Sequence, residues 1–202
     1  MIVEKIGKQD GRKNKYTVEF SDGKALSLDS EQIAVHMIYL GRQFDDEEFL
    51  EFLREMELSE SKSRVLRMLG NRTLSAKDIE RRLITKGTSK QIARETVNWL
   101  ESIGLINDRE YAHSIVRHYT QKGYGSKRIK QELFKRGIDR EFWDDAMCEN
   151  DGMEEAALSF VEKKLKDIND PEDVRRVTAA MGRRGYSYEE AKTAIKRYIE
   201  ES

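Results

Sequence analysis

Few side chains in this sequence have the types and spacing that catalysis needs. The three histidines are His36, His113 and His118. The last two lie five residues apart, which on one helix turns them to diverging faces, unlike the i, i+4 pair that grips a metal. All three read as surface or partly packed side chains. Cys148 is the only cysteine, has no histidine motif near it, and reads as a structural thiol with no partner for an intramolecular disulfide. The acidic run Asp45–Glu48 could attract a cation, but acids in a first helical turn complement the helix dipole without one. Gly123–Arg128 (GYGSKR) has G-x-G spacing, yet no third glycine and no apolar strand before it, so it is a poor phosphate loop. No Walker-type loop or dinucleotide fingerprint occurs. An enzyme is not expected, nor a cofactor, nor a metal.

What remains is positive charge. Between Arg117 and Arg140 lie eight cations (Arg117, Lys122, Lys127, Arg128, Lys130, Lys135, Arg136, Arg140) against two acids, with Tyr119 and Tyr124 interleaved. A second band holds Arg72, Lys77, Arg81, Arg82, Lys86, Lys90 and Arg94. The whole chain nearly balances, 37 Lys and Arg against 38 Asp and Glu. The distribution does not. Residues 1–60 carry a net −6 and residues 61–103 a net +6. On a helix, Ile129 and Leu133 face a core while Lys127, Arg128, Lys130 and Arg136 spread over the outer faces. Two successive cationic elements in a chain of near-zero net charge favour a docking surface for an anionic partner, either nucleic acid or an acidic protein surface.

The elements that position these cations repeat. From Ser63 onward the sequence is helical, and three glycines, Gly87, Gly137 and Gly185, align it. Eight residues before each sits an aliphatic side chain (Ile79, Ile129, Val177), and four before sits Leu83, Leu133 or Met181. A cation precedes each glycine (Lys86, Arg136, Arg184), and a helix-capping residue follows two later (Ser89, Asp139, Ser187). Ten after comes Val97, Met147 or Ile195. The glycine is where a helix ends in the left-handed conformation, with the cation facing its negative end. Each unit therefore has a variable first helix, a second ending at the glycine, and a third begun by Ser or Asp. The first helices are expected at about 61–69, 108–121 and 153–166. Ser75 opens the second helix of unit one, Asp170-Pro171 that of unit three, and Ser126 caps that of unit two.

Ahead of these units, IVEKI, YTVEF and ALSL alternate like strands around the turns KQDGRKN and Ser21-Asp22-Gly23, giving a hairpin or meander. Helices from about 30 to 40 and 45 to 57 follow. The expected fold is mainly α: three tandem three-helix repeats in an elongated curved array, with a small strand-containing N-terminal extension. The expected boundaries are 1–60, 61–104, 105–150 and 151–202. The charged fraction is 37% and aromatics 8%, the profile of exposed amphipathic helices with modest cores. No apolar run approaches the roughly 18 residues of a spanning helix, and no apolar signal core opens the chain. A soluble, cytoplasmic monomer is expected.

At these residues the sequence resembles the RecX family of recombination regulators. The resemblance rests on the pattern L-x-x-R-x-x-S-x-x-D-I-x-x-R-L-x-x-K-G from Leu69 to Gly87, on WLESIGLINDREYA, and on KGYGSKRIKQELFKRGI. It is strongest over about 63–148 and extends to the C-terminus. Ser126 departs from the proline that members often carry there. The resemblance implies a non-enzymatic protein that binds the RecA recombinase and its filament on single-stranded DNA, restraining ATP hydrolysis and strand exchange. The residues expected to dock are Lys127, Arg128, Lys130, Lys135 and Arg136, with Arg117, Tyr124, Arg81, Arg82 and Lys86 behind them. A weak direct contact with DNA is compatible with this reading. The rival reading is a sequence-independent nucleic-acid-binding helical module that acts without RecA.

Overall fold

The protein is described from a computed structural model that covers residues 1–11, 14–70, 72–150 and 152–201. Its chain divides into two compact units, Met1–Ser63 and Arg64–Ser202. Among the described residues no helix is long and apolar enough to cross a membrane.

The first unit is built on the expected meander. Strands β1 (Val3–Lys8), β2 (Lys15–Phe20) and β3 (Ala25–Asp29) pair antiparallel in the order β1-β2-β3. Arg12 and Lys13, in the turn expected between β1 and β2, lie outside the described residues. Gly23 takes φ +80 at the second turn, where the Phe20 amide donates to the Lys24 carbonyl at 2.9 Å. Because strand side chains alternate, Val18 and Phe20 fall on one face and bury with Leu28. Phe44, Phe49 and Phe52 close over them, Phe49 meeting Phe20 edge-on at 5.0 Å.

Two helices differ from the sequence reading. Helix α1 covers only Ser30–Val35, stopping short of Leu40. The Ile38 amide reaches back to the Ile33 carbonyl at 2.8 Å while Met37 sits at φ +48, a left-handed stop without the glycine that signals one. The expected helices at 45–57 and 61–69 are a single one, α2 (Asp46–Leu69), since no Gly or Pro interrupts it. Asp45 accepts the Glu48 amide at 2.7 Å, so the acidic run does start a helix.

The second unit contains α3 (Ala76–Thr85), α4 (Lys90–Ser102), α5 (Asp108–Gln121), α6 (Ser126–Lys135), α7 (Glu141–Cys148), α8 (Gly152–Lys164), α9 (Pro171–Arg183) and α10 (Tyr188–Glu201). Three apolar cores follow in sequence. One joins Val65 of α2 to Ile79, Leu83 and Val97; the next joins Val116, Ile129 and Leu133; the last joins Val161, Val177, Met181 and Ile195. The six aliphatic positions of the repeat, Ile79, Leu83, Ile129, Leu133, Val177 and Met181, are all fully buried. Gly87, Gly137 and Gly185 all have φ between +72 and +90, and each ends its helix as expected. In each, the residue after the glycine donates to the carbonyl five positions back, Leu83, Leu133 or Met181.

Successive repeats touch through these ends. The Ser75 hydroxyl donates to the Arg136 carbonyl at 2.6 Å while accepting the Asp78 amide at 3.1 Å, so the N-cap of α3 sits on the final turn of α6. Asp108 accepts the Ala76 amide there at 3.0 Å. Burial pushes the Asp108 carboxyl above its ordinary range against that hydrogen bond, and the nearby Glu101 and Asp139 push it the same way. One joint further on, the Gly125 amide donates to the Arg184 carbonyl at 3.2 Å and the Lys127 amide to the Gly185 carbonyl at 2.9 Å. The negative end of α9 thus meets the positive end of α6, and that of α6 meets α3. Ser75→Ala removes both the cap and the donor to Arg136, so a loss of about 1–2 kcal/mol in urea unfolding is expected.

Ser126 is not the cap of α6. Gly125 holds the N-cap position without a side-chain bond, and Ser126 is the first helical residue. The capping role passes to Glu190 of the third repeat, which accepts the Ser126 amide at 3.3 Å and its hydroxyl at 2.9 Å. Asp139 likewise does not cap α7. That helix follows Arg140 without a side-chain cap, and the Asp139 carboxylate lies 3.7 Å from Lys77 Nζ.

Candidate docking interface

The ten cations and aromatics singled out from the sequence separate into those neutralised inside the chain and those left free. Arg136 is turned inward from α6. Its guanidinium pairs with Glu132, stands 3.5 Å from the Tyr119 hydroxyl, and covers the Tyr119 ring at 5.6 Å. Arg128 takes the other Glu132 oxygen at 3.0 Å. Glu132 is buried, and burial alone would raise its carboxyl; Arg136, Tyr119 and Arg128 outweigh that and hold it below the usual range. Burial opposes the charge on Arg136, but Glu132 and Tyr119 outweigh it and hold the guanidinium above its ordinary value.

In the first repeat, Arg81 and Arg82 both pair with Asp78, Arg82 at 2.7 Å. Tyr124 is half-buried and carries two guanidinium groups, Arg184 at 5.6 Å and Arg128 at 6.0 Å. Its ring belongs to the joint between repeats two and three. Expected among the docking residues, it packs its ring against Tyr119 at 5.6 Å.

Lys127, Lys130 and Lys135 stand differently. All are exposed on α6, and no ion pair to them occurs among the described residues. Glu132 is the only acid on α6, and it is buried, so the solvent face of this helix carries no negative charge. Lys86 is exposed at the end of α3, where its carbonyl accepts from Arg64 at 3.1 Å, and it lines a shallow recess of about 500 Å³ with Arg64, Arg67 and Met68. Arg117 is not gathered onto the α6 face. It lines a cleft of about 820 Å³ beside Arg72, Leu66 and Leu105, and no α6 residue lines that cleft.

Two features escaped sequence reasoning. Phe134 is 70% exposed on α6, seven residues after Lys127 and off the Ile129–Leu133 core stripe. That offset was legible; without knowing which face is covered, its exposure was not. The second feature is a cluster of His113, Asp145 and Glu149, whose ligand-type atoms lie within 4.8 Å of one another. Arg109 pairs with the same two carboxylates, at 2.7 Å from Asp145 and 3.6 Å from Glu149, and its hydrogen bond holds the Asp145 carboxyl low. The arrangement is an ion-pair network tying α5 to α7. Cys148, expected as a structural thiol, is exposed at the end of α7.

Fold and face together define a three-helix-repeat protein presenting three exposed lysines on the middle helix of its second repeat. Residues 107–147 match the family model described as RecX, second three-helix domain. Along its length the chain is 26% identical to regulatory protein RecX of Caldanaerobacter subterraneus subsp. tengcongensis, covering 96% of this chain and 98% of that one. It is also 26% identical to regulatory protein RecX of Bacillus subtilis, covering 96% and 76%. A crystal structure of regulatory protein RecX superposes with a TM-score of 0.68 at 20% identity, covering 96% of this chain and 98% of that one. The structure of RecX from Lactobacillus salivarius gives 0.65 at 24%, covering 72% and 98%. Over nearly its whole length the chain is thus similar to proteins described as regulatory protein RecX.

Proposed function

We propose that this protein binds the RecA recombinase and its filament on single-stranded DNA, in the cytoplasm, and restrains ATP hydrolysis and strand exchange without doing chemistry of its own. The observation that carries the reading is the α6 face, where Lys127, Lys130 and Lys135 are exposed, have no ion pair among the described residues, and share their helix with no exposed carboxylate. A filament containing DNA is a polyanion, and such a face is attracted to it over distances of about a Debye length. The relatives' shared description as regulatory proteins supports a regulatory role. Arg128 and Arg136 serve the face by holding α6 together, not by offering charge, because Glu132 neutralises them. Arg81 and Arg82 are secondary for the same reason, given Asp78.

The test is titration of the protein into preformed filaments of RecA on single-stranded DNA while ATP hydrolysis is followed. Wild-type protein should inhibit. Lys127→Glu with Lys130→Glu should raise the inhibitory concentration more than tenfold with an unchanged unfolding midpoint, since both side chains are solvent-exposed. Equal inhibition by that folded variant would sink the assignment. The rival, a nucleic-acid module acting without RecA, predicts steeply salt-dependent binding to DNA alone, and one feature of α6 gives it a specific form.

A further inference from the structure

Phe134 has no structural reason to be aromatic. The core positions of α6 are filled by Ile129 and Leu133, both fully buried, and Phe134 contributes nothing to that core at 70% exposure. The matching position holds Ile84 in α3, 41% exposed, and Gly182 in α9, so the repeat architecture does not call for a ring there. An exposed phenyl group loses its burial energy and invites association, which makes its presence there informative.

Its neighbours narrow the ligand. Lys127, Lys130, Gln131 and Phe134 follow i, i+3, i+4, i+7 spacing and are all exposed, so they share one face along roughly 10 Å of helix. Lys135 stands beside them. A protein hot spot would set such a ring among other apolar side chains, but Phe134 is the only exposed large hydrophobic residue of α6. An isolated ring among flexible point charges instead suits a strand whose bases offer π-faces and whose backbone offers phosphates. Only an unpaired strand can offer those faces. The N-terminus of α6 does not compete for phosphate, because the Glu190 carboxylate and the Gly185 carbonyl already fill it.

We infer that Phe134 is a stacking platform for a base of single-stranded nucleic acid, with Lys127, Lys130 and Lys135 holding the phosphates on either side. This rests on the α6 face being the docking face and specifies what that face touches.

The experiment uses the full chain without RecA. Fluorescence anisotropy would measure its affinity for a dT15 oligonucleotide and for an abasic oligonucleotide of the same length, between 50 and 200 mM salt. The wild type should prefer dT15 by at least fivefold. Phe134→Ala should weaken dT15 binding about 5- to 100-fold and erase the preference without changing the salt slope. Phe134→Tyr should restore it. Lys127→Ala with Lys130→Ala should instead reduce the slope of log affinity against log salt by about 1.4. The inference is overturned if the wild type shows no dT15 preference or no binding, or if Phe134→Ala binds dT15 like the wild type. If Phe134→Ala keeps dT15 affinity but loses inhibition of RecA, the ring contacts protein and the inference fails while the docking face stands. If the lysine variant keeps both its slope and its inhibition of RecA, the face itself is wrong.

Discussion

Gly185→Ala is expected to cost about 3–5 kcal/mol and to detach the third repeat from the second, from two separate effects. Gly185 sits at φ +86, a conformation that costs a side-chain-bearing residue about 1–2 kcal/mol. A Cβ there would also lie 2.5 Å from Arg128 Cβ and 2.7 Å from the Arg128 amide nitrogen. Those atoms belong to α6, so relief requires the joint to open, and the bonds Gly125 to Arg184 and Lys127 to Gly185 are lost with it. Each contributes about 1 kcal/mol. Gly125→Ala meets the same wall from the other side, with Tyr186 Cα at 2.3 Å. Two other glycines separate strain from collision. Gly87 has φ +90 but nothing within 4 Å, so alanine there should cost only the strain. Gly182 lies inside α9 with open space around it, and alanine there should stabilise by up to about 1 kcal/mol. Thermal unfolding should therefore rank Gly182→Ala highest, then wild type, Gly87→Ala and Gly185→Ala. Amide hydrogen exchange at Lys127 should rise only in the last. A Gly185→Ala protein as stable as Gly87→Ala would refute the tight joint.

The same glycines show where the sequence was readable. Gly87, Gly137 and Gly185 stood out because each ends a helix whose buried positions lie four and eight residues earlier, a pattern contained within nine residues. That Gly125 packs on the Gly185 turn was not readable, because the two lie 60 residues apart and nothing local marks a close backbone approach. Ser126 was misread as a cap for the same reason: its partner, Glu190, comes from another repeat. The neutralised cations are a different case. Asp78 stands three and four residues from Arg81 and Arg82, and Glu132 four from Arg128 and Arg136, spacings that bring side chains together on any helix. Counting charge by segment hid those pairs. Counting it by helix face leaves Lys127, Lys130 and Lys135 as the cations of α6 able to act outward.

Glu132→Ala is expected to destabilise the protein by about 3–5 kcal/mol, because it strands the half-buried Arg136 with Arg128 beside it and no anion between them. Glu132→Gln keeps some hydrogen bonding and should cost less. Replacing both partners, as in Glu132→Met with Arg136→Met, should recover most of the loss, since what costs energy is a buried charge without its counterpart. The pH dependence has a definite sign. The folded carboxyl is held below its unfolded value, so its stabilisation is complete above about pH 4.3 and fades as pH falls through the lower folded value. The Glu132→Gln variant should lack that part of the acid transition, which urea unfolding at pH 3 to 7 would reveal. Function should move the opposite way from stability. At temperatures where Glu132→Gln is still folded, Arg128 gains a free charge beside the lysine face, and the salt slope for dT15 should steepen. A slope unchanged from wild type would mean that the Arg128 guanidinium stays held over the Tyr124 ring, and that Glu132 serves stability alone.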